Sequence, residues 1–314
     1  MMAAVIRSTR RVFLAAAAGA PWIAGAVMAR PPGLLIDTHV HLFSGDPQKF
    51  PYAANAPYQP KPAPLEPYLK FVAEAGIDHV VIVHPEPYQD DHRYLEYCFA
   101  NEQPKGLFKG TCLFDPISPE TPSRMEALVK RNPGRLVALR IHQMGEPGSA
   151  PTRSGPIGGR DMSSAAMDRT WNKAAQLGLA IQMHFVPYYA PQIEEQARRH
   201  SGIGIVLDHL GRAGMGSPAE FERVLALAKL PNVYLKVSAL NYSSKEKAPY
   251  RDARPMVRRA YDAFGPDRMI WGGLGHSVPE FESAVEIFDT MFNDIADSDK
   301  AKIRGLNAKS FFAF

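Results

Sequence analysis

Cysteine is scarce in this sequence, because its 314 residues contain only Cys98 and Cys112. The two residues form neither a Cys-x-x-C motif nor the larger set that a disulfide framework or a cysteine zinc site needs. We therefore expect no disulfide-dependent fold, and we expect both cysteines to be buried as small apolar side chains.

A strong net charge is also lacking. The formal charge is +4, and the first 29 residues contribute three arginines and no acidic residue. Without them the charge is +1, and no basic stripe interleaved with aromatic residues appears elsewhere in the chain. The sequence gives no support to a nucleic-acid-binding protein, and we expect a small molecule as its partner.

The chain has no hydrophobic run of the length that spans a membrane, and its most apolar stretch lies near the amino terminus. Residues 15–27 are interrupted by two glycines and a proline, which makes them short for a stable span. They follow the twin-arginine pattern TRRVFL at 9–14, and Val27-Met28-Ala29 resembles a signal-peptidase site. Residues 1–29 are therefore predicted to be a twin-arginine signal peptide that directs the protein through the Tat export machinery to the periplasm. An uncleaved anchor is the alternative.

After the leader, apolar runs alternate with helix-like segments. Eight such alternations in about 280 residues predict a parallel sheet closed into a single (β/α)8 TIM barrel over residues 34–314. Loops rich in proline or glycine interrupt the pattern at 50–64 and 147–161. The predicted strands cover residues 34–43, 79–84, 107–114, 136–142, 179–186, 203–209, 233–238 and 269–271.

Histidines and an arginine recur where these strands end. Active sites of such barrels lie at the carboxyl ends of the strands, so side chains from five strands are expected to converge on one rim. A single histidine at a strand end is more often a packing residue, but convergence from five strands is hard to explain in that way. These residues are His39, His41, His84, Arg140, His142, His184 and His209.

The segment LLIDTHVHLF at 34–43 carries two of these histidines. Residues two apart on a strand point to the same face, so His39 and His41 are expected to lie side by side. Two imidazoles can share a divalent metal or polarise an oxyanion. An isolated His-x-His pair also arises by chance.

The chain resembles the amidohydrolase-related TIM-barrel family. Within that family, Phe50-Pro51-Tyr52 and the DHLGR segment look most like the branch of sugar lactonases and 2-pyrone-4,6-dicarboxylate lactonase. The matching segments are DTHVH at 37–41, LRIH at 139–142, QMH at 182–184, LDHLGR at 207–212, YLKVSAL at 234–240, DRMIWG at 267–272 and LNAKSFF at 306–312.

The resemblance implies hydrolysis of a small carboxylated or sugar lactone. Some members of that branch use a divalent metal and others use none, so a zinc or manganese ion held by His39, His41 and His184 is one expectation. In the other, these three imidazoles polarise the carbonyl directly. The predicted substrate-binding side chains are Arg140, His142, Arg212, Tyr52 and His84.

The sequence departs from the family at the end of the eighth strand. There the family carries W-G-[ST]-D-[WF]-P, whose aspartate is the general base or a metal ligand, whereas Leu274 stands at the aspartate position here. A leucine can neither bind a metal nor accept a proton. The predicted base is then His209 or His276.

Several assignments stay open at this stage. Arg140 could clamp a substrate carboxylate or pair with Asp208 or Asp37 inside the barrel, and Lys236 could form a Schiff base or an ion pair. Arg212 could be a solvated loop residue. The whole chain could be a non-catalytic periplasmic ligand-binding barrel or a metal-dependent decarboxylase. Its oligomeric state is left open.

Overall fold

The computed structural model describes residues 30–314, so the predicted signal peptide lies outside the described residues. Eight strands form one sheet in the order β1 to β8, and each is hydrogen-bonded in parallel to the next. The predicted barrel is confirmed. The strands are β1 Ile36–Val40, β2 His79–Val83, β3 Phe108–Leu113, β4 Leu136–Gln143, β5 Ala180–Phe185, β6 Ile205–Leu207, β7 Val233–Val237 and β8 Met269–Trp271.

Helices lie between successive strands and complete the barrel. Among residues 30–314 they are α1 Leu65–Ala75, α2 Arg93–Ala100, α3 Thr121–Arg131, α4 Ala165–Gln176, α5 Ala190–Arg199, α6 Pro218–Ala226, α7 Arg254–Phe264, α8 Val278–Met291, α9 Asp297–Ala301 and α10 Asn307–Phe311. A π-helical turn at Lys302–Leu306 separates α9 from α10. None of the described helices is long and apolar enough to cross a membrane.

Side chains close the seam between β8 and β1. Thr38 donates its hydroxyl to the carbonyl of Trp271 at 2.7 Å, and the amide of Gly273 donates to Asp37 Oδ1 at 2.8 Å. A side chain at Gly272 would place its Cβ 2.6 Å from Thr38 Oγ1. The glycine therefore permits the close approach that brings the end of β8 against β1.

The two ends of the barrel interior differ in polarity. The amino-terminal end is filled by an apolar cluster that includes Ile36, Val81, Val137, Ile270 and Phe312. The carboxyl end carries buried histidines and charged groups. Burying polar groups is costly unless they are paired, so this end is where a site is expected.

Candidate active site

Asp208 is the centre of the buried polar network and follows β6. Its carboxylate accepts hydrogen bonds from Arg140 at 3.1 and 3.2 Å and from Gln182 at 2.9 Å, and Lys236 Nζ lies 3.2 Å away. Burial raises the pKa of Asp208, but Lys236, His39 and Arg140 outweigh burial and hold the pKa well below its usual range. The ion pairs considered from the sequence for Arg140 and Lys236 are therefore present.

Two histidines lie beside this network. His39 Nδ1 is 3.4 Å from Lys236 Nζ and 3.5 Å from Asp208 Oδ1, and its ring centroid is 4.4 Å from that of His209. His209 Nδ1 forms a hydrogen bond with Ser238 Oγ at 2.9 Å. Burial holds the pKa of both imidazoles well below the ordinary value. Both rings are therefore neutral near pH 7 and can accept a proton.

A second group lies across the mouth, formed by Glu86, His142, His184 and Arg212. His142 Nδ1 is 3.0 Å from Glu86 Oε1 and also 3.0 Å from His184 Nδ1. Arg212 Nη2 donates to His184 Nε2 at 2.5 Å, and its guanidinium stacks 3.7 Å above the ring centre of Tyr242. Within residues 30–314, His142 Nε2 is buried and has no hydrogen-bond partner.

The titratable groups Glu86, His142 and His184 are in their basic forms near pH 7. Burial, followed by the charge of Arg140, lowers the pKa of both His142 and His184. Burial raises the pKa of Glu86, but its hydrogen bond with His142 and the nearby positive charges outweigh burial and lower it. An ionised carboxylate therefore faces two neutral imidazoles.

A strained turn positions Glu86. The 3-10 turn Glu86–Tyr88 is followed by Gln89, which is buried and has φ 49° and ψ −118°. Gln89 donates its amide and its side-chain Nε2 to the carbonyl of Glu86 at 2.8 and 2.6 Å, and its Oε1 accepts from Ile157 at 2.6 Å. Such strain persists only where the surroundings enforce it, and it concentrates at functional sites.

Two predicted substrate-binding residues are not brought into these groups. His84 donates Nε2–H to the carbonyl of Gln89 at 2.9 Å and stacks on His92, with ring centroids 4.3 Å apart, so it lies behind the barrel wall. Tyr52 packs against Tyr88 at a centroid distance of 5.0 Å and edge-on to Phe43. His84 therefore acts on the mouth only through the turn that carries Glu86.

His41 and His276 form the rim. His41 donates Nδ1–H to the carbonyl of Val83 at 2.7 Å, and burial and Arg140 lower its pKa to about 3. His276 donates Nε2–H to the carbonyl of His41 at 2.9 Å, and its side chain is 39% exposed. The ring of His276 thus holds the rim rather than entering the cluster, which leaves His209 as the better placed of the two predicted bases.

Leu274 stands where the resemblance implies an aspartate. Its side chain is fully buried in the apolar core, and its amide donates to Asp37 Oδ2 at 3.1 Å. Burial raises the pKa of Asp37, although three backbone hydrogen bonds act to lower it. Position 274 therefore contributes to packing, and Asp37 holds the loop that follows β8.

The predicted metal ligands His39, His41 and His184 do not assemble into one group. Among the described residues, two sets of three bring donor atoms within 4.8 Å of one another. His39 and His184 fall in different sets, and His41 falls in neither. The two sets are His39, Asp208 and His209, and Glu86, His142 and His184.

Sequence reasoning missed four residues of the mouth. Gln182 and Ser238 lie two positions from His184 and Lys236, so the alternation of side chains along β5 and past the end of β7 could have identified them. Glu86 and Tyr242 lie in turns after β2 and β7, and no sequence pattern indicated them.

Comparison with known proteins supports this architecture. The amidohydrolase family profile matches residues 36–314. A 4-sulfomuconolactone hydrolase of Hydrogenophaga intermedia is 28% identical over 77% of this chain and 74% of its own length. An L-fucono-1,5-lactonase of Burkholderia ambifaria is 26% identical over 76% of this chain and 78% of its own length.

Solved structures share the fold. A probable 2-pyrone-4,6-dicarboxylic acid hydrolase of Acinetobacter baumannii, with citric acid bound, has a TM-score of 0.71 at 20% identity and covers 89% of this chain and 99% of its own. An amidohydrolase of Burkholderia multivorans with bound zinc has a TM-score of 0.66 at 19% identity and covers 90% and 100%. Because the family profile spans the whole barrel, the chain belongs to the amidohydrolase family.

Proposed function

We propose that this protein opens a small carboxylated or sugar lactone by attack of water at the barrel mouth. The observation that carries the proposal is the convergence of neutral imidazoles and an arginine around one opening. His39, His209 and His184 line the same opening, with ring centroids 4.4 Å apart for His39 and His209 and 5.6 Å apart for His184 and His209. Relatives named as lactone hydrolases support the same reaction class.

His209 is the proposed general base. It would take one proton from water while the water oxygen forms a bond with the lactone carbonyl carbon, and the carbonyl electrons would move to oxygen. Collapse of this intermediate breaks the ring C–O bond, and the proton passes from His209 to the departing alkoxide. The product is a hydroxy acid, whose new carboxylic acid group ionises by releasing its proton to solvent.

Positive charge at the mouth favours an acidic substrate. Arg140 directs Nε and Nη2 at Asp208. Arg212 lies over Tyr242, and its terminal nitrogens contact His184 and Met215. Arg212 is therefore the better candidate to bind a substrate carboxylate with two parallel hydrogen bonds.

Ring opening of a panel of lactones tests this proposal. We expect wild-type protein to hydrolyse at least one carboxylated or sugar lactone, and His209→Ala to lower kcat by about 10²–10⁴. His79→Ala is the matched control, because His79 begins β2 at the opposite end of the barrel. Binding of hydroxy acids without any lactone turnover would instead support a ligand-binding barrel, and carbon dioxide release from an aromatic acid would support a decarboxylase.

Export to the periplasm is a separate proposal. It is supported by the arginine pair Arg10 and Arg11 ahead of the apolar stretch that ends at Ala29. Replacing both arginines by lysine should retain the protein in the cytoplasm, as measured by cell fractionation. Unchanged periplasmic recovery of this variant would contradict the Tat route.

A further inference from the structure

We propose that Glu86 determines substrate specificity, because it accepts a hydrogen bond from a substrate hydroxyl and repels a second carboxylate. The preferred substrate is then a lactone that carries one carboxylate, bound by Arg212, and a hydroxyl on the neighbouring ring carbon. This inference rests on the proposed function for the reaction. It goes beyond that function by assigning a role to Glu86 and by excluding dicarboxylated lactones.

The Glu86 carboxylate has unused hydrogen-bonding capacity. A carboxylate can accept about four hydrogen bonds, whereas the one polar side chain of residues 30–314 that contacts this group is His142, whose Nδ1 lies 3.0 Å from Oε1. Oε2 has no hydrogen-bond partner within the same part of the chain. The side chain is 26% exposed, so a hydrogen-bond donor of a ligand can reach it.

Two other carboxylates inside this end of the barrel are already satisfied. Asp208 is fully buried, and three side chains of the barrel interior bind its oxygens. Asp37 is also fully buried and accepts hydrogen bonds from three backbone amides. Of these three carboxylates, Glu86 is therefore the one that a ligand can use.

Arg212 and Glu86 lie on opposite sides of two imidazole rings. Arg212 Nη2 donates to His184 Nε2 at 2.5 Å, and His184 Nδ1 lies 3.0 Å from the His142 nitrogen that faces Glu86. Arg212 forms no ion pair with a carboxylate of the described residues. A ligand over these two rings would meet a positive charge at one end and a negative charge at the other, and adjacent carboxylate and hydroxyl groups match this polarity.

The negative charge of Glu86 distinguishes a hydroxyl from a carboxylate. Burial raises the pKa of Glu86, but its hydrogen bond with His142 and the nearby positive charges outweigh burial, so the group is ionised near pH 7. A second carboxylate beside it would be repelled unless one of the two took up a proton. Because protein covers most of Glu86, water screens this repulsion less than at an open surface. A hydroxyl instead donates its proton in a charge-assisted hydrogen bond.

Three substituted γ-butyrolactones test the proposal. Each carries a carboxylate on the carbon bonded to the ring oxygen, and the next ring carbon bears hydrogen, hydroxyl or a second carboxylate (the lactone of isocitrate). For wild-type protein we expect kcat/KM to be at least about tenfold higher for the hydroxyl compound than for the hydrogen compound. The dicarboxylate should have the lowest kcat/KM of the three.

Glu86→Gln should change these ratios. Its amide carries no charge and accepts weaker hydrogen bonds, so kcat/KM for the dicarboxylate should rise at least about tenfold relative to the hydrogen compound, and the preference for hydroxyl should fall. Glu146→Gln is the matched control, because it removes the same charge from an exposed side chain that follows β4 at the same end of the barrel. Ratios between substrates do not change when part of a variant is unfolded.

Failure of the reaction and failure of the specificity give different results. If wild-type protein hydrolyses none of the three compounds, lactone turnover fails, and titration calorimetry with the same intact lactones tests Glu86 by itself. The expected order of affinity and the expected change in Glu86→Gln are then the same.

Four results would overturn the proposal. Wild-type protein could fail to discriminate between the hydrogen and hydroxyl compounds, or could bind none of the three. Glu86→Gln could reject the dicarboxylate as strongly as wild type does. Glu146→Gln could change the ratios as much as Glu86→Gln does, which would assign the effect to the overall charge of the rim.

Discussion

The two halves of the barrel mouth use their carboxylates in opposite ways. Asp208 is fully buried, and its oxygens are bound by Arg140, Gln182 and Lys236. Glu86 is 26% exposed at its side chain, and its oxygen Oε1 faces His142. Asp208 therefore neutralises buried cations inside the barrel, whereas Glu86 is available to a ligand.

The comparison shows that a cluster of acidic and histidine side chains is not sufficient to identify a metal site. Both groups meet the distance requirement for three ligands. They differ in whether a cation of the protein contacts the carboxylate, because Lys236 Nζ lies 3.2 Å from Asp208 Oδ1, whereas Arg212 of the second group donates to His184. Charge compensation inside the protein therefore separates a structural group from a binding group.

Removing the Asp208 charge should have the largest effect. Asp208→Asn leaves Lys236 and Arg140 as uncompensated buried cations, so the free energy of unfolding should fall by about 3–5 kcal/mol. Urea unfolding measures this loss, and adding Lys236→Met to Asp208→Asn should recover part of it. A loss below about 1 kcal/mol would show that the Asp208 half is not a structural unit.

A substitution at Leu274 tests whether this position, where the family has an aspartate, belongs to the barrel mouth. Because Leu274 is fully buried, Leu274→Ala should lower the free energy of unfolding by about 2–5 kcal/mol through the cavity it leaves. Near-normal kcat is expected for the fraction that remains folded. Unchanged stability combined with lost activity would place Leu274 in the active site and contradict its assignment to the apolar core.

Arg212→Lys should have a smaller effect, on substrate affinity. A lysine cannot reproduce two parallel hydrogen bonds or the stacking on Tyr242. We expect KM for carboxylated lactones to rise about 10–100-fold, since a hydrogen bond to a charged group contributes about 1.5–3 kcal/mol. Neutral sugar lactones are the control substrates, and an equal rise in their KM would contradict a role in charge recognition.

His276→Ala should have the smallest effect. The His276 side chain is 39% exposed and holds the rim through the His41 carbonyl. Loss of this single hydrogen bond should cost about 0.5–1.5 kcal/mol of stability and change kcat little. A fall in kcat comparable to that of His209→Ala would make His276 the base instead.

The sequence predicted the barrel and most of the mouth because strand alternation is a regular pattern. Arg140 and His142 lie on one face of β4, and the ion pair of Arg140 with Asp208 was one of its two predicted alternatives. The same alternation would have excluded His84 from the barrel interior, because His84 lies on the same strand face as Val80 and Ile82. Those two residues pack in the outer core against the helices.

The contacts that the sequence could not predict lie in loops. Glu86 reaches His142 through a turn in which Gln89 has a positive φ of 49°, and no periodicity in the sequence encodes that turn. The irregular end of β8 likewise buries Leu274 in the core through its hydrogen bond to Asp37. Such contacts depend on tertiary packing rather than on residue spacing.

Urea unfolding of Asp208→Asn and Glu86→Gln, measured side by side, tests the difference between the two halves most directly. We predict a loss of about 3–5 kcal/mol for Asp208→Asn and a smaller loss for Glu86→Gln, because the Glu86 side chain is 26% exposed. A loss for Glu86→Gln as large as that for Asp208→Asn would contradict the account.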